Sequence, residues 1–108
     1  VKRRDVIIVA LSGDKPRPAV VVQSDDLIDS GTVLICPFTS GLKFAAPHRV
    51  VVESTAANGL NSASVLMTEK LQAVRRDRCG PTVGTMDPSD MSAVNAKLAF
   101  ALGLSLSD

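Results

Sequence analysis

Short apolar runs separated by turn residues dominate the chain. They are Asp5–Leu11, Pro18–Gln23, Thr32–Phe38, Arg49–Ser54, Ser64–Met67 and Glu69–Val74. Val and Ile are their commonest residues, and β-branched side chains pack well on a pleated sheet. Ser12-Gly13-Asp14-Lys15, Asp25–Gly31 and Ala56–Ser62, which contains Asn58-Gly59, read as the connections. Several short strands at this spacing predict a small barrel or sandwich. The pattern then changes period. Asp87 reads as a cap, Pro88 as the first helical residue and Asp90 as a first-turn acid. Met91, Val94, Leu98 and Leu102 follow at spacings of three and four, and Gly103 suits the stop position. This predicts one amphipathic helix that covers an open side of the barrel or forms a subunit contact. A second, shorter helical turn is expected at Arg75–Cys79.

Two junctions stand out within that pattern. Arg17 lies between Pro16 and Pro18 and leads into Ala19-Val20-Val21-Val22. Proline fixes its own φ and pushes the residue before it toward an extended backbone, so Arg17 is held extended at the mouth of a strand. Farther on, Val33-Leu34-Ile35-Cys36-Pro37-Phe38 reads as a strand ending in a Thr39-Ser40-Gly41 turn. If these strands pair, a cation and a hydroxyl come together where a phosphate would fit. A guanidinium matches phosphate oxygens with its planar fork. The plainer alternatives are an exposed Arg17 paired with Asp14 or Asp25, and hydroxyls that satisfy their own turn.

Composition narrows the chemistry. The 108 residues suffice for one domain (1–108) with one modest core, and 45% hydrophobic content suits a folded chain. There are three Phe and no Tyr or Trp, which argues against aromatic base-stacking platforms. A net charge of +1 gives no global field for nucleic acid, so such binding has to be local. Lys2-Arg3-Arg4 and Arg75-Arg76-Asp77-Arg78 are short basic clusters of the kind usually found on solvated surface. Cys36, Cys79 and the lone His48 make neither a plausible zinc set nor, in context, a catalytic triad. No phosphate-binding glycine loop or dinucleotide fingerprint is present. No apolar run approaches the ~18 residues of a membrane span, and no signal-peptide pattern is legible. The expectation is a reduced, cytoplasmic protein without metal or cofactor.

Taken in order, the motifs resemble the MazF/PemK family of toxin endoribonucleases from toxin–antitoxin pairs. Family members begin Arg-Gly-Asp before an apolar strand, matched by Arg3-Arg4-Asp5-Val6-Ile7-Ile8-Val9. Their Arg-Pro-Ala/Val-Val-Val segment is matched by Arg17–Val22, and their Pro-x-Thr-Ser/Thr strand end by Pro37-Phe38-Thr39-Ser40. A Val-x-Leu-x-Asp-Gln-Val/Ile segment is matched by Val65–Leu71, and the closing Leu-Gly by Leu102-Gly103. The chain departs at Arg4, where the family has glycine, at Glu69-Lys70, where it has Asp-Gln, and in the shorter first loop Ser12–Pro16.

The resemblance implies a mainly β fold, an SH3-like barrel of the CcdB/PemK type with a C-terminal helix, assembled as a homodimer. It implies metal-free cleavage of single-stranded RNA to 2′,3′-cyclic phosphate and 5′-hydroxyl ends, restrained by a protein antitoxin, with no DNA substrate. It also implies catalytic roles for Arg17 and Thr39 and substrate contacts by Ser40, Lys43, Glu69 and Lys70. The alternatives are a CcdB-like topoisomerase poison, which needs an apolar or aromatic tail that Ser105-Leu106-Ser107-Asp108 lacks, and a non-catalytic SH3-like interaction module.

Overall fold

The structure is a computed structural model that describes residues 1–104 other than Ser12, Asp14 and Ile28. Among these residues seven strands and one α-helix are formed: β1 (Asp5–Val9), β2 (Arg17–Val21), β3 (Thr32–Ser40), β4 (Val50–Val52), β5 (Ser64–Leu66), β6 (Gln72–Arg75), β7 (Cys79–Thr85) and α1 (Pro88–Ala101). The hydrogen-bonded order is β4-β5-β3-β2-β1-β7, with β6 also on β3, and these pairs are antiparallel. The sheet curls as a barrel does, but β4 and β7 at its ends do not pair.

The long strand β3 organises this curl. Its first half, Thr32–Ile35, pairs with β6, and Ile35–Pro37 pairs with β2. Its last three residues pair instead with β5: Phe38↔Leu66, Thr39↔Val65 and Ser40↔Ser64. Pro37 stands at the switch. It has no N–H to give to a ladder, which suits a strand changing partners, and its carbonyl accepts Met67 N at 3.0 Å. Thr39 and Ser40 therefore belong to the strand and not to the turn expected after Phe38, because β5 supplies partners for their backbone.

Side-chain alternation along the strands separates two apolar clusters. One contains Val6, Val20, Cys36, Phe38, Leu66 and Met86 and is covered by Met91 and Val94 of α1. The other contains Ile7, Val9, Ala19, Val21, Val33, Ile35 and Val74. The helix thus covers one side of the curled sheet, as the periodicity suggested, but its apolar stripe is shorter than expected. Met91 and Val94 are buried and Leu98 half-buried, whereas Leu102 is exposed at the C-cap. Gly103 (φ 71°) closes the helix: its N–H donates to Phe100 O at 3.1 Å, and Leu104 N donates to Ala99 O at 2.8 Å. Asp87 is the N-cap residue, yet its side chain caps no backbone N–H and accepts Ser89 Oγ at 2.9 Å instead.

Other boundaries also differ from expectation. The segment read as one strand from Glu69 is a 3₁₀ turn, Thr68–Lys70, followed by β6. The helical turn expected at Arg75–Cys79 is a 3₁₀ turn at Arg76–Arg78. It leads into β7, in which Gly80-Pro81 has the composition of a loop. Both cysteines are free, Cys36 buried and Cys79 partly so. Burial pushes the Cys36 thiol up to about 12, so it packs as a small apolar group.

Candidate functional site

Three segments meet at the end of the sheet where β2 begins and β3 finishes. They enclose a cleft of about 310 Å³ lined by Lys15, Arg17, Pro18, Phe38, Ser40, Leu60, Asn61, Ser62 and Ser64. Phe38 and Leu60, both buried, form its apolar wall. Arg17 opens β2, where Val9↔Arg17 and Ile8↔Pro18 pair it with β1. Its side chain is exposed, and among the described residues neither Arg17 nor Lys15 takes part in an ion pair. Asp25, one alternative partner for Arg17, lies beyond the far end of β2, where it accepts Arg3 N at 2.8 Å. Asp14, the other, lies outside the described residues.

The β2–β3 ladder runs Val21↔Ile35, Val20↔Cys36, Ala19↔Pro37. Carried two residues further, the same register sets Arg17 across from Thr39. Thr39 does not line the cleft; it is half-buried, and its Oγ1 donates to Ser40 O at 3.4 Å. The structure thus brings Arg17 and Ser40 into one cleft and places Thr39 beside it on β3.

The third wall is the β4–β5 loop, which sequence reading took only as a turn. Asn58 is its buried hub. Oδ1 accepts Thr55 N at 3.1 Å and Leu60 N at 3.0 Å, and Nδ2 donates to Glu53 O at 2.8 Å. Gly59 follows at φ 70°, and a Cβ there would lie 2.2 Å from Val83 O. Gly84 on β7 is equally constrained, because a Cβ would meet Asn58 C at 2.3 Å. The loop is pressed onto β7 through two glycines, and this fixes where Leu60, Asn61 and Ser62 stand. The Asn-Gly pair was the available signal; the long-range contact that makes it a wall had none.

The remaining candidates lie outside the cleft lining. Lys43 is exposed in a 3₁₀ turn, Leu42–Phe44, which follows Ser40 by one residue. Lys70 is exposed in the Thr68–Lys70 turn. Glu69 is committed elsewhere: Arg49 Nε donates to both of its oxygens at 3.1 Å, Arg49 Nη2 donates to Oε2, and His48 Nε2 lies 3.5 Å from Oε1. The Arg49 hydrogen bonds hold the Glu69 carboxyl down at about 2, outweighing the opposing effect of burial. His48 lies in the turn before β4 and serves this cluster. Among the described residues no group of three or more His, Cys, Asp or Glu could hold a metal ion, and no helix is long and apolar enough to cross a membrane.

A curled antiparallel sheet and one packed helix frame a cation-rimmed cleft, an architecture that hosts many activities, and comparison with known proteins narrows it. Residues 2–102 match the family model of the PemK-like, MazF-like toxin of type II toxin–antitoxin systems. A relative from Mycolicibacterium smegmatis, a probable endoribonuclease MazF, is 32% identical over 106 residues, 95% of this chain and 97% of the relative. The Mycobacterium tuberculosis toxin MazF-mt6 superposes with a TM-score of 0.81 at 26% identity, covering 94% of this chain and 99% of that one. A mycobacterial endoribonuclease in complex with its cognate antitoxin shares the fold, with a TM-score of 0.82 at 21% identity over 99% and 97% of the two chains. The chain belongs to the PemK-like, MazF-like toxin family.

Proposed function

We propose that this chain is one toxin domain (1–108) that cleaves single-stranded RNA in the cytoplasm without a metal ion, as a homodimer that a cognate antitoxin protein restrains. The relative from Mycolicibacterium smegmatis is named for endoribonuclease activity, and a solved relative is named for its antitoxin complex. The observation that carries the reading is Arg17: a permanently charged fork, exposed and without an ion pair among the described residues, on a cleft with Lys15 and the Ser40 and Ser62 side chains.

RNA carries its own nucleophile. The 2′-oxygen bonds to phosphorus while the bond to the 5′-oxygen breaks; the 2′-hydroxyl loses its proton and the departing 5′-oxygen gains one. The products are a 2′,3′-cyclic phosphate and a 5′-hydroxyl. The protein then has to stabilise the negative charge that accumulates on the phosphoryl oxygens. Arg17 does this by bidentate hydrogen bonding, with Thr39 aligning the phosphate from the neighbouring strand. Arg17 does not take the 2′ proton, because a guanidinium barely deprotonates. Ser40, Lys43 and Lys70 contact the strand, and Glu69 acts behind Arg49.

Purified protein incubated with a mixed RNA pool in excess EDTA is expected to cut single strands and spare duplexes, leaving cyclic-phosphate ends. Cleavage that disappears in EDTA and returns with a divalent ion contradicts the mechanism. Sedimentation at micromolar concentration is expected to show mostly dimer; a monomer active at every concentration contradicts a shared groove.

A further inference from the structure

The three Phe residues sit at different depths. Phe38 is 1% exposed in the cleft wall, and Phe100 is exposed near the end of α1. Phe44 is 43% exposed although it lies close to the cleft. Its ring packs over Gly41, the residue that follows cleft-lining Ser40: a Cβ on Gly41 would lie 3.5 Å from two ring carbons. Lys43 Nζ is 5.2 Å from the ring centroid. An aromatic ring and a cation therefore stand together against Gly41, the residue next to the cleft-lining Ser40.

The loop that carries this pair is fastened from behind. Arg49 Nη1 donates to Phe44 O at 3.0 Å while the rest of its guanidinium holds Glu69. The Thr68 hydroxyl donates to His48 O, and Lys97 Nζ on α1 donates to Pro47 O at 2.5 Å. The backbone is thus held by two other parts of the fold while Phe44 stays 43% exposed. A preordered surface of this kind loses little entropy on binding.

The cleft is at the small end of the ~300–1,000 Å³ typical of ligand sites and has room for about one nucleotide. A single strand leaving it past Ser40 crosses Gly41 and meets the ring. We propose that Phe44 and Lys43 form a second nucleotide subsite beside the cleft, with Phe44 stacking the flanking base and Lys43 pairing with its phosphate. This rests on the RNA-cleavage reading. Every base has a π-face, so the subsite adds affinity with little sequence preference. The scarcity of aromatics argued against a stacking platform of many rings; one ring at the strand's exit is enough for a single base.

The chain contains no Trp, so Phe44→Trp introduces a sole indole reporter. Titration with a short single-stranded RNA whose 2′-oxygens are methylated, and which therefore cannot be cut, is expected to quench that indole saturably. The same oligonucleotide made abasic is expected not to quench it. In cleavage assays Phe44→Leu is expected to raise KM roughly five- to hundred-fold with kcat changed less than about twofold, the loss typical of one stacked base. Phe44→Trp, whose indole still offers a π-face, is expected to bring KM closer to wild type than Phe44→Leu does. An indole unaffected by RNA, or a Phe44→Leu enzyme with wild-type KM, overturns the proposal. If the wild-type protein cuts no RNA, the functional reading fails, and the fluorescence titration still decides the subsite: quenching by RNA supports it and its absence overturns it. Phe44 is largely outside the core, and circular dichroism confirms that each variant is folded.

Discussion

The two ends of the β1–β2–β3 sheet treat their cations differently. At the end where β1 begins, arginines are absorbed into the fold. Arg3 donates to Val22 O and to Asn95 Oδ1 on α1, Arg4 Nε to Met86 O at 3.0 Å, and Arg76 Nε to Ser30 O at 2.9 Å. Arg75 pairs with Asp77 at 2.5 Å. At the end where β2 begins, Arg17 and Lys15 have no such partner among the described residues and face a cleft. The sequence shows Lys2-Arg3-Arg4 and Arg75–Arg78 as the conspicuous basic clusters, yet most of those arginines serve as struts. Arg17, between two prolines, has no ion pair among the described residues and lines the cleft. A cation's availability, more than its local density, singles out the candidate site.

The largest effect expected from breaking this contrast is on catalysis. Arg17→Ala should lower the single-turnover rate by roughly 10²–10³, the usual loss of one preorganised charge-stabilising donor. Arg17→Lys should recover part of it, because a point charge lacks the bidentate fork. Thr39→Ala should cost the same or less, and thermal melting should show both folds intact.

The next effect is structural and lies at the cleft wall. Gly59→Ala forces a Cβ against the Val83 carbonyl at a positive φ and should destabilise by about 3 kcal/mol or more. Denaturant melts would read this, and cleavage should fail with the fold.

Removing a strut at the opposite end gives the complementary result. Arg3→Ala loses two hydrogen bonds to a charged donor, worth about 2 kcal/mol, and lowers Tm. Its rate at a temperature where it remains folded should match wild type. A catalytic defect in a folded Arg3→Ala protein would erase the distinction between the two ends.

Glu69→Gln should cost about 0.5–1 kcal/mol at neutral pH, a figure reduced because the pair is about one-third exposed on the Glu69 side. The Glu69 carboxyl is depressed from its ordinary 4.5 to about 2, so its stabilisation is complete above about pH 4.5 and is lost as pH falls toward 2. The Tm difference between wild type and variant should therefore close over that interval. Smallest of all is Arg4→Gly. Arg4 holds a φ of 82°, a conformation that glycine adopts freely, so the change relieves about 1 kcal/mol of strain but removes the bond to Met86 O. Tm should move by less than about 5 °C.

Most of the frame was legible because local rules agree with the fold in β1–β5 and α1. The failures have specific causes. Gly80-Pro81-Thr82-Val83-Gly84 has turn composition but forms β7, because its glycines permit close backbone approach: a Cβ on Gly80 would lie 2.5 Å from Ile8 O. Thr39 and Ser40 looked like a turn because their β5 partners are more than twenty residues away in sequence. At the site, the proline-flanked arginine was legible from its neighbours. Asn61, Ser62 and the commitment of Glu69 to Arg49 were not, since each depends on contacts between distant segments.

The proposed mechanism divides the cations: Arg17 at the cleft performs the chemistry and the tethered arginines do not. Its most direct test is the single-turnover cleavage of one RNA in EDTA by wild type, Arg17→Ala and Arg3→Ala, each checked by thermal melting. A rate loss of roughly 10²–10³ with unchanged Tm is expected for Arg17→Ala, and an unchanged rate with lowered Tm for Arg3→Ala. A normally folded Arg17→Ala protein that cuts at the wild-type rate would contradict the mechanism.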